Sequence, residues 1–133
     1  MSVPSSERKL SGTQYLENIK ELEKWVLRKQ LHLAKKYCHI YETAITLNII
    51  NAFTHAKCAN SIFVKDKQSV ELRAKELDLA HAYLQAVVGQ LEVFREIGDG
   101  NLLSSSEIEK YAPLIIETLH MIKGVKESDK KRI

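Results

Sequence analysis

Glycine and proline are scarce in this chain, with five glycines and two prolines in 133 residues. Neither occurs anywhere from Thr13 to Val88. A β sandwich or barrel needs turn residues about every 8–12 positions, so this composition argues against one and favours long helices. Pro4 falls in the N-terminal segment, and Pro113 is expected in the first turns of the last helix. Cysteine is nearly absent as well. Cys38 and Cys58 sit in no metal or redox motif, and they are expected to be reduced, small apolar residues in a cytoplasmic setting. No run of about 18 apolar residues is present, so no membrane helix is expected. Residues 1–12 are polar and hold no apolar core of the signal-peptide kind. There is no glycine-rich loop to cradle phosphates.

The net charge is +3, but it is spread unevenly. Residues 1–67 carry +5, residues 68–122 carry −5 and residues 123–133 carry +3. A basic front, an acidic middle and a basic end suggest a polar molecule with separate electrostatic faces.

The apolar pattern gives four helices. Leu16, Ile19, Leu22, Val26, Leu33 and Tyr37 recur at helical spacing after Ser11 and Thr13, which are candidate N-caps. A helix of about fifty residues would be abnormal in a globular domain, so a break is expected near 35–40. The second helix runs from Tyr41 to Ala59 and is apolar nearly all round, which marks a central element. Asn48 and Asn51 on it are expected to be buried and hydrogen-bonded, setting register or assembly.

The third helix, Val70 to Ile97 with Ser69 as cap, has the clearest pattern. Leu77, Ala80, Leu84, Val87, Leu91 and Phe94 alternate by three and four, as in the seam of a bundle. A second stripe, Leu79, Tyr83, Ala86, Val93 and Ile97, lies beside it and is suited to another neighbour or another subunit. Gly98 is expected as a left-handed cap. The fourth helix follows Ser104–Ser106, presents Ile108, Ala112, Ile115, Leu119 and Ile122, and is expected to stop at Gly124. The fold class is therefore all-α, an antiparallel up-down-up-down four-helix bundle over residues 13–125. Residues 1–12 read as a disordered tail and 126–133 as a loose basic one.

The strongest functional signal is on the first helix. At about 100° per residue, Lys20, Lys24, Arg28, Lys29, His32, Lys35 and Lys36 share one half of the helical surface. No acidic residue occurs from Trp25 to Ile40. Trp25 lies inside this basic arc, where an indole could stack on a base or dock a partner. Such a stripe suits phosphate contacts and makes these eight residues a candidate nucleic-acid site. The plain alternative is a solvated amphipathic face with Trp25 at a subunit contact.

Other constellations are weaker. Asp78-x-x-His81 and Glu117-x-x-His120 have the carboxylate-x-x-His spacing of di-iron bundles, but Glu117 and His120 fall opposite their helix's apolar face. Arg28-x-x-x-His32 is similar to the Arg/His motif of HEPN-type ribonuclease domains, with a shorter spacing and Lys29 where a polar residue is usual. No metal and no cofactor are expected.

The segment ELRAKELDLAHAYLQAVVGQLEVFREIGDG, followed by LLSSSEIEKYAPLIIETLHMIKGV, resembles a known bundle. The bundle is shared by the accessory variability determinant (Avd) proteins of diversity-generating retroelements and by the ribosomal-RNA intervening-sequence proteins. The shared pattern is a long amphipathic helix ending at a glycine turn, a Ser/Glu cap and a last helix ending near glycine. It covers residues of about 15–125. The resemblance implies a homopentamer of four-helix protomers and no catalytic residues. For the Avd branch it also implies binding to the element's reverse transcriptase and to RNA or DNA in support of mutagenic cDNA synthesis. The chain lacks the Ser/Ile/Pro/Asn-type segment that usually enters the third helix of intervening-sequence proteins, which favours the Avd branch.

Overall fold

The structure is a computed structural model that describes residues 5–132, with side chains from Gly12 onward. The described residues are almost entirely helical. Helix α1 spans Ser5–His32, α2 Lys35–Tyr41, α3 Leu47–Ser61, α4 Lys67–Ile97 and α5 Ser105–Lys131. A π-helical turn, Glu42–Thr46, joins α2 to α3 without interrupting the rod. Four long rods result. In cross-section α1 neighbours α3 and α5, and α4 neighbours the same two.

The core follows the expected stripes. Leu16, Ile19, Leu22 and Val26 are buried on α1, and Ile45, Ile49, Ala52 and Ala56 on the second rod. The α4 seam Leu77, Ala80, Leu84, Val87, Leu91 and Phe94 is buried throughout. On α5, Ile108, Ile115 and Ile122 are buried, while Ala112 and Leu119 pack against them half-buried. Each fully buried aliphatic side chain contributes about 1.5–3 kcal/mol of transfer free energy. Tyr15 and Tyr41 are fully enclosed too, and neither hydroxyl has a hydrogen-bond partner among the described residues. Burial raises the phenol pKa of both.

Several boundaries differ from expectation, each for a physical reason. Ser11 and Thr13 lie inside α1 rather than at its head. Helix propagates upstream once Tyr15–Val26 are packed, because extension is far easier than nucleation. Of the expected tail, residues 1–4 lie outside the described residues. The break after α1 comes at Leu33–Ala34, before Lys35 and Lys36, which begin α2. Ala34 is extended (φ −58°, ψ 143°), so no glycine or proline is needed there. The Cys38 thiol lies 3.7–3.9 Å from the Gln30, Leu33 and Ala34 carbonyls at the break.

Asn48 and Asn51 are half-buried, and each donates to a carbonyl one turn earlier, Ala44 and Leu47, at 2.8 Å. Their bonds are local and fix no inter-helix register. The α4 cap is Asp66 rather than Ser69. Asp66 accepts from the Ser69 N–H at 2.8 Å, and the Ser69 hydroxyl closes a reciprocal capping box. Gly98 adopts φ 72°, as its cap role requires.

Helix α5 does not stop at Gly124. It continues to Lys131, so residues 126–131 of the segment expected to be a loose basic tail are the last turn and a half of that helix, and residue 133 lies outside the described residues. Asp129 explains why. It is buried, and its Oδ2 accepts from Arg73 Nε at 2.6 Å, while Arg73 also donates to the Ala59 carbonyl at 3.1 Å. This bonding outweighs a mid-helix glycine, which costs about 1 kcal/mol. Pro113 lies inside α5, on its exposed side.

Candidate nucleic-acid interface

The basic arc of α1 borders α5, and the core packing sets which of its residues are free. Lys20, Arg28, His32 and Lys35 are exposed and make no hydrogen bond or ion pair among the described residues. Lys24 pairs with Glu21 at 3.1 Å on an exposed face, a contact worth little in water.

Trp25 and Lys29 turn instead into the seam between α1 and α5. Trp25 is 8% exposed, and its indole stacks on Tyr111 with centroids 4.0 Å apart and planes 11° from parallel. Its Nε1 donates to Glu107 Oε2 at 3.3 Å, and Lys29 Nζ lies 2.8 Å from Glu107 Oε1. Glu107 also receives the Ser104 hydroxyl at 3.1 Å, and its own N–H donates to the Ser104 oxygen that caps α5. Burial pushes the Glu107 carboxyl pKa up, but the bonds from Lys29, Trp25 and Ser104 outweigh that and hold it below the usual value.

Lys35 and Lys36 lie beyond the break. Lys36 Nζ stands 5.0 Å over the Tyr37 ring. The Tyr37 hydroxyl donates to Asp99 Oδ2 at 3.0 Å, and Asp99 also accepts the Asn101 N–H at 2.9 Å. The start of α2 is thereby tied to the turn between α4 and α5.

Two open cavities meet along this surface. One, about 390 Å³, is lined by Trp25, Arg28, Lys29, His32, Glu107 and Tyr111. The other, about 380 Å³, is lined by Lys29, His32, Lys36, Tyr37, Asn101 and the break residues. The structure thus brings together Trp25, Arg28, Lys29, His32 and Lys36, with Lys35 exposed next to Lys36. Lys20 and Lys24 line neither cavity.

The remaining constellations resolve differently. Asp78 is ion-paired with Lys126 across α4 and α5. His81 and His120 share a small cleft with Lys123, and burial, then the Lys123 charge, lower the His81 pKa. Glu117 and His120 are exposed. Among the described residues, no three His, Cys, Asp or Glu side chains are grouped to hold a metal.

The periodic signal missed Glu107, Tyr111, Tyr37 and Asn101. The Ser104-x-x-Glu107 spacing is the one local cue, since a carboxylate three residues after a serine cap belongs at a helix start. The contact of Glu107 with Lys29 spans 78 positions, and no local pattern encodes that. Compared with family models, with curated proteins and with solved structures, the chain finds no significant match in any of the three.

Proposed function

We propose that this chain is a non-enzymatic, cytoplasmic accessory protein that binds RNA or DNA through the groove at the junction of α1, α2 and α5. By its resemblance to Avd proteins, it would serve a reverse transcriptase as a homo-oligomer, a pentamer in that family. The observation that carries the reading is the set of unpaired cations at the groove: Arg28 and Lys35, with His32, Lys29 and Lys36 beside them. Unpaired exposed cations around a concave surface suit a phosphate backbone.

An up-down-up-down antiparallel course is part of this reading. Paired residues on neighbouring rods run in opposite numerical order, which supports it: Asn18 with Thr118 and Trp25 with Glu107, then His55 with Glu76 and Ala59 with Arg73. Self-assembly draws support from the second α4 stripe, where Leu79, Val93 and Ile97 are 41–64% exposed.

Filter binding of RNA and of DNA at low and moderate salt tests the binding claim. The wild type is expected to retain nucleic acid at low salt and to lose it as salt rises. Arg28→Gln, Lys35→Gln and Lys36→Gln together are expected to weaken it strongly. Equal retention by that variant would place the site elsewhere.

A second reading is a structural or protein-binding oligomer with no nucleic-acid affinity. It is favoured by exposed Leu31 and Ile40, 81% and 55% accessible near the same groove. An oligomer that binds no nucleic acid at any salt would select it. The HEPN-type ribonuclease reading rests on Arg28 and His32 lining one cavity. RNA cleavage that is lost in His32→Ala would revive it.

A further inference from the structure

The two cavities differ from the smooth basic surface that a duplex backbone needs. Lys29, paired with Glu107, and His32 line both and form the ridge that divides them, with Arg28 on one side and Lys36 on the other. Each side of the ridge offers ring edges and polar groups, the Trp25 face being covered by Tyr111. One side has Trp25 and Tyr111 with the Glu107 carboxylate, and the other has the Tyr37 ring with Asn101. Only one donor, Trp25, reaches Glu107 Oε2, so that oxygen can accept another.

We infer that the groove takes a single strand, with two consecutive bases turned into the two cavities and the phosphate between them held by Arg28 and Lys36, which flank the Lys29–His32 ridge. This rests on the nucleic-acid reading above and narrows it to unpaired RNA or DNA. In a duplex the bases are stacked and paired inside, so the aromatic and amide groups of the cavities would meet no base. A single strand presents base faces and edges that rings and polar groups bind at little sequence cost. Phosphate contacts at Arg28 and Lys36 are common to both nucleic-acid forms and give no discrimination by themselves.

Fluorescence anisotropy on the full chain separates the two levels of the claim. The probes are a short mixed-sequence single strand, a duplex of the same length, and the same single strand with abasic sites at alternate positions. The intact strand is expected to bind about tenfold tighter than the abasic strand and the duplex, the loss expected when a base is removed from a stacking or hydrogen-bonding site. Asn101→Ala, on an exposed turn, is expected to narrow that gap. Tyr111→Leu, if folded, is expected to close it further. Equal binding of all three probes overturns the single-strand inference and leaves the nucleic-acid reading standing. Binding of none at low salt overturns both.

Discussion

Arg73 and Asp129 form an ion pair whose side chains are only 12% and 5% exposed, with Nε and Oδ2 2.6 Å apart. The pair joins α4 to the end of α5, and the second Arg73 bond reaches the Ala59 carbonyl on α3. Removing Asp129 leaves the Arg73 charge with only the Ala59 carbonyl, and breaking a buried pair in this way costs about 3–5 kcal/mol. Asp129→Ala is therefore expected to lower unfolding stability by about 3 kcal/mol, as measured by urea denaturation. A change under about 1 kcal/mol, within the usual range for a surface pair, would show that the end of α5 is not anchored this way.

Gly124 and Gly98 test where α5 and α4 end from the backbone side. Gly124 lies inside α5 with open space where a Cβ would go. Gly124→Ala is expected to raise stability by about 0.5–1 kcal/mol. Gly98 has φ 72°, where a side chain is strained, so Gly98→Ala is expected to lower it by about 1 kcal/mol. Thermal melts of both variants check the opposite signs. Destabilisation by Gly124→Ala would mean that the helix does end there.

The Glu107 carboxyl makes stability depend on pH. Its folded pKa is below the ordinary carboxylate value. Its contribution is therefore complete above the unfolded pKa and is lost as pH falls through the folded pKa. Glu107→Gln is expected to flatten the acid limb of the stability profile and to cost about 1 kcal/mol near neutrality. Chemical denaturation across the acid range checks this. An unchanged acid limb would remove Glu107 as the anchor of Lys29 and Trp25.

Tyr41 and Tyr15 hold buried hydroxyls without partners among the described residues. Their replacement by Phe deletes an unsatisfied polar group and keeps the ring. Tyr41→Phe is expected to leave stability unchanged or to raise it by up to about 1 kcal/mol. A clear loss in a urea melt would reveal a bonded hydroxyl.

The bundle was legible in the sequence because its core repeats locally. The three-four alternation from Leu77 to Phe94 and the Gly98 stop needed only neighbouring residues. The break at Leu33–Ala34 carried no such mark, since it is made by an extended alanine, and its position depends on what α1 and the second rod must bury. The end of α5 misled for a related reason. Gly124 and a run of charges resemble a stop, and the Arg73–Asp129 pair that overrides it is 56 positions apart. In the site, the basic arc was visible as composition and angle. The turn of Trp25 and Lys29 toward Tyr111 and Glu107 was not, because it is a property of the α1–α5 packing.

The salt dependence of nucleic-acid binding tests the central claim most directly. The account predicts that log K falls linearly with log salt for the wild type. For the variant carrying Arg28→Gln, Lys35→Gln and Lys36→Gln, the slope should be shallower by about 2–3, roughly one for each phosphate left without its cation. Binding with the same slope and affinity in both proteins would contradict it.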